Sequence, residues 1–78
     1  MVEATADTAP AAPAPPRLSS RELQVLQRLS DAQSTRQIAA GLVLSTNTVR
    51  GHVRTLIRKL AATGRADAVR RAQERGLL

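Results

Sequence analysis

Hydrophobic residues recur from Leu18 onward in four groups, each with the three-to-four-residue spacing of an amphipathic helix. This spacing predicts helices over Leu18–Leu29, Ser34 to about Leu42, Ser45 to about Leu60 and Gly64 to about Arg75. The apolar stripe of the third group consists of Val49, Val53, Leu56, Ile57 and Leu60. No segment has the alternating pattern of a strand. The sequence therefore predicts an all-α fold, a compact four-helix domain.

Polar residues stand where the first three helices should begin. Ser19 with Glu22, and Ser34 with Gln37, have the spacing of a capping box. In that motif each side chain accepts a hydrogen bond from the backbone N–H of the other residue. Ser45 is the expected cap of the third helix. These caps predict where each helix starts.

The second and third helices are separated by only about three residues. Two helices joined so tightly, with the second one amphipathic and basic, are typical of a helix-turn-helix. The motif is predicted over about residues 34–58.

The first 17 residues have no helical pattern and are rich in alanine and proline. Apart from Met1 and Val2 they contain no large hydrophobic residue. Such a segment cannot bury enough apolar surface to offset the entropy lost on ordering. We therefore expect a disordered tail or linker over residues 1–17 and one folded domain over residues 18–78. No stretch has the pattern of a secretory signal or a membrane span.

Composition narrows the function of the folded part. All 12 basic residues but only four of the six acids lie from Arg17 onward, which gives that part a net charge of +8. This excess favours a polyanionic partner, with nucleic acid ahead of a membrane. The chain has no cysteine and one histidine, and its acids are scattered. We therefore expect no metal, no cofactor, no small-molecule ligand and no enzymatic activity.

A row of arginines lies on the third helix, away from its apolar stripe. Arg50, Arg54 and Arg58 are spaced four residues apart. Because like charges at this spacing repel, the row favours an anionic ligand. Arg50 and Arg54 are predicted to reach base edges in the major groove, most readily guanine O6 and N7. Arg58 and Lys59 lie further along the helix and are predicted to contact phosphate.

The start of the third helix carries hydroxyl and amide side chains. Ser45, Asn47 and Thr48 stand beside the free N–H groups of the first turn. Phosphate oxygens bind at such helix ends through the helix dipole and direct hydrogen bonds. This turn is therefore predicted to contact the DNA backbone.

Three segments in register resemble the DNA-binding domain of LuxR-type transcriptional regulators, also called the GerE-like helix-turn-helix. They are "LSSRELQVL", "STRQIAAGLVLSTNTVRGHVRTLIRKL" and "GRADAVRRAQERGLL", which together cover residues 18–78. The resemblance implies a four-helix domain whose third helix enters the major groove and whose fourth helix supplies dimer contacts. It implies base contacts by Arg50, Gly51 and Arg54. The backbone contacts that it implies are at Ser34, Thr35, Arg36, Ser45, Asn47 and Thr48. The implied dimer interface is at Val69, Ala72 and Gln73.

Two residues raise questions of conformation. Ala32 stands where the family commonly has glycine. Either alanine adopts a positive φ there, at a cost of roughly 1 kcal/mol, or the turn differs. Gly51 lies inside the third helix and costs about 1 kcal/mol of helix stability relative to alanine. Our hypothesis is that it lets the helix backbone approach the base edges.

Taken with the resemblance, the sequence predicts sequence-specific binding of double-stranded DNA by the output module of a bacterial transcription regulator. We expect a homodimer that is weak without DNA, a cytoplasmic, nucleoid-associated location, and RNA polymerase as a further candidate partner. One alternative is a small single-domain regulator that acts by dimerising with full-length relatives. Another, the promoter-reading region of a sigma factor, has a similar helix pair but lacks the fourth helix.

Overall fold

The computed structural model describes residues 17–78, which form four α-helices without any strand. The helices are α1 (Ser20–Ser30), α2 (Thr35–Leu42), α3 (Thr46–Lys59) and α4 (Arg65–Glu74). Each lies within two residues of its predicted limits, so the all-α four-helix prediction is confirmed. The predicted tail lies outside the described residues, apart from Arg17.

One hydrophobic core holds the four helices together. The first helix contacts each of the other three, and α3 also contacts both α2 and α4. The core contains only aliphatic side chains, because the chain has no aromatic residue. Its buried members are Val25, Leu26, Leu29, Ile38, Ala39, Val49, Val53, Leu56, Leu60, Ala68 and Ala72. Three residues separate α2 from α3. Both helices pack against α1 through this core, which fixes the helix-turn-helix on the rest of the domain.

The predicted caps form as hydrogen bonds. Ser19 Oγ accepts from the Glu22 amide at 3.1 Å, and Glu22 Oε1 accepts from the Ser19 amide at 2.9 Å. The box between Ser34 and Gln37 closes in the same way, at 3.1 and 2.8 Å. Ser45 caps α3, whereas Gly64 begins α4 without a side-chain cap. The two capping boxes were predictable because the motif is local and fixed in spacing.

All four helices end in the same backbone motif, a Schellman turn with one left-handed residue. That residue's amide bonds to a carbonyl three residues back, and the next amide bonds five residues back. The left-handed residues are Ala32 (φ 61°), Val43 (φ 58°), Ala61 (φ 54°) and Gly76 (φ 72°). Ala32 therefore keeps the turn that glycine would make. Only the last helix has glycine at this position, so three of the turns are strained.

Replacing Val43 with glycine should stabilise the domain. A β-branched side chain is poorly suited to the left-handed conformation, and this one is 89% exposed, so little packing would be lost. The introduced glycine would gain freedom in the unfolded chain, which offsets part of the relief. We expect a net gain of about 1 kcal/mol in the free energy of unfolding, measured by thermal or urea denaturation. An unchanged or lower stability would show that the turn carries no strain.

Candidate nucleic-acid interface

The arginine row occupies the exposed side of α3. Arg50, Arg54 and Arg58 are exposed, whereas Val49 and Val53 are buried in the core. Within residues 17–78, none of the three arginines forms an ion pair with an acid. The helix therefore presents uncompensated positive charge along one side, as its spacing predicts.

The first turn of α3 has an exposed polar surface. Ser45 Oγ accepts from the Thr48 amide at 3.1 Å and lies 2.9 Å from the Thr48 hydroxyl. Asn47 Oδ1 accepts from Arg50 Nη1 at 3.3 Å, which links this turn to the arginine row. The side chains of Ser45, Asn47 and Thr48 are all exposed. Hydrogen-bonding groups and guanidinium groups thus form one continuous surface.

The start of α2 lies beside this surface. Thr35 and Ile57 line a groove of about 350 Å³ together with Arg50, Arg54, Val53 and Arg65. Ser34 and Arg36, which flank Thr35, are exposed. The fold therefore brings Thr35 next to the predicted base-reading arginines. Arg65 is not among the predicted site residues, because its position depends on how α4 packs and no local motif marks it.

Nothing inside the domain requires glycine at position 51. A Cβ built on Gly51 would meet no heavy atom within 4 Å, apart from its neighbours and its own helix backbone. Gly51 is half-buried and adjoins Arg50 on α3. Packing inside the folded domain therefore does not explain this glycine.

Lys59 points away from the arginine row, toward α1. Its Nζ lies 2.8 Å from Glu22 Oε1 and donates to the Arg17 carbonyl, also at 2.8 Å. Burial favours a higher pKa for the Glu22 carboxyl. The hydrogen bonds from Lys59 and from the Ser19 amide outweigh it and hold that pKa below its usual value. These two bonds hold Lys59 against α1 and leave one of its three N–H donors free, so its phosphate contact stays a prediction.

Residues of the predicted dimer interface differ in exposure. Gln73 is exposed and Val69 is half-buried. Ala72, by contrast, is 0% exposed and belongs to the core. Its inclusion in the interface is therefore corrected: the Ala72 side chain packs inside its own domain and has no surface for a second copy.

The remaining face of α4 carries its own ion pairs. Asp67 accepts hydrogen bonds from the Thr63 amide and Arg71 Nε, both at 2.9 Å, and also pairs with Arg70. Arg71 and the Thr63 amide hold the Asp67 pKa far below its usual range. Arg70 also pairs with Glu74 at 2.8 Å, and its own pKa is raised by Asp67. These two arginines are therefore largely neutralised, unlike the arginines of α3.

Metal-binding clusters and helices that could cross a membrane are both absent from the described part of the chain. Residues 17–78 contain no group of three metal-ligating side chains close enough to share an ion. None of their helices is both long and apolar enough to cross a membrane.

The family comparison agrees with this geometry. Residues 16–72 match the family model described as "Bacterial regulatory proteins, luxR family". Among curated proteins, the chain is similar to a probable transcriptional regulatory protein NarL of Mycobacterium tuberculosis, with 46% identity over 68 residues. It is 34% identical over 59 residues to the transcriptional regulatory protein DesR of Bacillus subtilis. These matches cover 87% and 76% of the chain but only 32% and 30% of the relatives. The chain thus spans about a third of their length.

Solved structures give the same result for the fold. The transcription factor GerE aligns with a TM-score of 0.74 and 36% identity, covering 78% of this chain and 91% of GerE. The response regulator ChrA of a heme-sensing two-component system aligns with a TM-score of 0.77 and 37% identity. That match covers 80% of this chain and 31% of ChrA. Both alignments cover most of the part of the chain that the structure describes.

Proposed function

Since the chain belongs to the luxR family of bacterial regulatory proteins, and is thereby a DNA-binding helix-turn-helix domain, we propose that α3 is its recognition helix. In this proposal α3 enters the major groove of a specific double-stranded site. The observation that carries it is the exposed row of Arg50, Arg54 and Arg58, which is free of acidic partners among the described residues.

Each part of the surface has a proposed role in this complex. Arg50 and Arg54 donate paired hydrogen bonds to base edges, for which guanine O6 and N7 are the best-matched acceptors. Gly51 lets the backbone of α3 approach the bases, in keeping with the open space around it. Phosphate oxygens are bound by the polar residues around the arginines, namely Ser34, Thr35, Arg36, Ser45, Asn47, Thr48 and Arg58.

The biological unit on DNA is proposed to be a homodimer on two half-sites. Its contact is supported by the position of Val69 and Gln73 on the outer side of α4, with Ala72 beneath them in the core. The apolar area offered there is small, so pairing should be weak before DNA is bound. Since the relatives are about three times as long, the domain is proposed to be the output module of a longer regulator.

Replacing Arg54 with alanine should remove most of the preference for a specific site. A bidentate base contact contributes about 1–3 kcal/mol of discrimination, which corresponds to roughly a 5- to 150-fold change in affinity. The duplex is first selected with the wild-type chain from a random-sequence library. Fluorescence anisotropy then measures the affinity for that duplex and for a scrambled one of equal composition.

The matched control is Arg21→Ala, which removes the same charge from an exposed position on α1. We expect it to leave the ratio of the two affinities unchanged. If Arg54→Ala kept the wild-type ratio, α3 would not be reading bases through this arginine. If the wild-type chain selected no sequence at all, the proposed specific binding would be wrong.

A further inference from the structure

Arg65 is the only residue of α4 in the groove beside the arginine row, among the residues described. The groove is formed by Thr35 at the start of α2, by one side of α3, and by Arg65 at the start of α4. Val53 and Ile57 supply its apolar lining. Three helices therefore converge on one opening that holds three guanidinium groups.

We propose that Arg65 binds a phosphate of the DNA backbone together with Thr35, which makes α4 a third DNA-contacting helix. This inference rests on the proposed function, since it places the groove against DNA. It adds a contact from outside the helix-turn-helix, on the helix that would also carry the dimer contact.

The hydrogen bond between Arg65 and Thr35 sets the geometry. Arg65 Nη1 lies 3.3 Å from Thr35 Oγ1, across a separation of 30 residues in the chain. This bond uses one of the five N–H donors of the guanidinium, so a fork of donors remains for an anion. The Thr35 hydroxyl accepts this bond and still has its own proton to donate. Both groups therefore keep donors that can bind the same phosphate.

Charge distinguishes Arg65 from its neighbours on the same helix. Arg70 and Arg71 pair with Asp67, whereas Arg65 is exposed and has no acidic partner within residues 17–78. The described residues that line the groove include three arginines and no acid. Mutual repulsion of these groups is relieved when an anion enters. A phosphate beside bases contacted by Arg50 and Arg54 supplies that charge.

Salt dependence provides the test, because each neutralised phosphate adds about 0.9 to the slope of log affinity against log salt. The 78-residue chain, Arg65→Ala and Arg65→Lys are titrated with the selected duplex and with its scrambled counterpart. For Arg65→Ala we expect the slope to fall by about 0.9, and both affinities to fall by a similar factor, about tenfold. Arg65→Lys should keep the slope, since it keeps the charge.

The matched control is Arg75→Ala, an exposed arginine just after the end of α4 and about 15 Å from Arg65 along the helix axis, which should leave the slope unchanged. Circular dichroism confirms that each variant remains folded. If Arg65→Ala kept the wild-type slope while Arg54→Ala lost site preference, this inference would be overturned and the proposed function would stand. If Arg65→Ala lost site preference without a change of slope, Arg65 would contact a base and not a phosphate, and this inference would also be overturned. If the wild-type chain did not bind the duplex, both proposals would fail.

Discussion

Replacing Leu26 with alanine is expected to leave most molecules unfolded at 25 °C. Leu26 is 0% exposed and lies on α1, the helix that contacts the other three. A Leu→Ala change at such a site costs about 3–5 kcal/mol, from lost burial and from the cavity that remains. A single core in a domain of this size supplies only about 3–5 kcal/mol in total. The loss therefore matches the whole stability of the domain.

The same substitution at Leu78, which is 40% exposed, is the matched control and should change stability by about 0.5 kcal/mol or less. Both variants are compared with the wild-type chain by far-ultraviolet circular dichroism during a urea titration. The recognition surface that contains Arg54 exists only in the folded domain. Leu26→Ala should therefore also abolish specific DNA binding. A Leu26→Ala chain that unfolds cooperatively with nearly wild-type stability would mean that the aliphatic core repacks around the cavity.

The helices could be predicted because their signals are local. Capping boxes at Ser19 and Ser34 fix two helix starts through contacts only three residues apart. The apolar stripe of α3 determines which side faces the core, and this leaves Arg50 and Arg54 exposed on the other. The helix-turn-helix and the arginine row follow from these two facts.

What the sequence could not predict depends on packing between helices. Lys59 follows directly after Arg58, yet the approach of α1 brings it to Glu22, 37 residues away. Arg65 likewise reaches the groove only because α4 packs beside the start of α2. The family resemblance implies an interface around Ala72, but it does not show that this side chain packs inside its own domain. No local spacing distinguishes these outcomes.

The helix ends were only partly predictable, for a related reason. Glycine marks the left-handed residue after α4, but alanine or valine occupies that position after the other three helices. Three strained turns are maintained because the surrounding helices over-determine them. In a domain this small, relief of strain at a single turn should change the free energy of unfolding measurably.

Replacing Glu22 with alanine should be the most destabilising change outside the aliphatic core. The substitution leaves Lys59 Nζ and the Ser19 amide without their carboxylate, whereas Ser19 Oγ still accepts from the backbone amide of residue 22. Each of the two lost hydrogen bonds to the carboxylate costs about 1.5–3 kcal/mol, and the lower figure applies because the Lys59 side chain is 32% exposed. We expect a total of about 3 kcal/mol, measured by urea denaturation at pH 7.

Glu22→Gln separates the two contributions. Gln37 already completes the capping box of α2, so glutamine can cap α1 while removing the negative charge. This variant should lose about 1–2 kcal/mol at pH 7, less than Glu22→Ala. Combined with Lys59→Met it should cost less than the sum of the two single changes, because both remove the same pair. If the cost of the double change equalled the sum of the two single costs, the 2.8 Å contact between Lys59 Nζ and Glu22 Oε1 would contribute no coupling energy.

Acid should reveal the same ion pair without mutation. The pKa of Glu22 is lower in the folded chain than its usual value of 4.5, so below about that pH the unfolded chain binds more protons. The Glu22 contribution is present above pH 4.5 and is lost as pH falls through the folded pKa. Asp67, whose pKa is also depressed, acts in the same direction at lower pH. Stability measured between pH 7 and pH 3 should therefore fall less steeply for Glu22→Gln than for the wild-type chain. Parallel curves would place the acid sensitivity in Asp67 and leave the Glu22–Lys59 pair without a role in it.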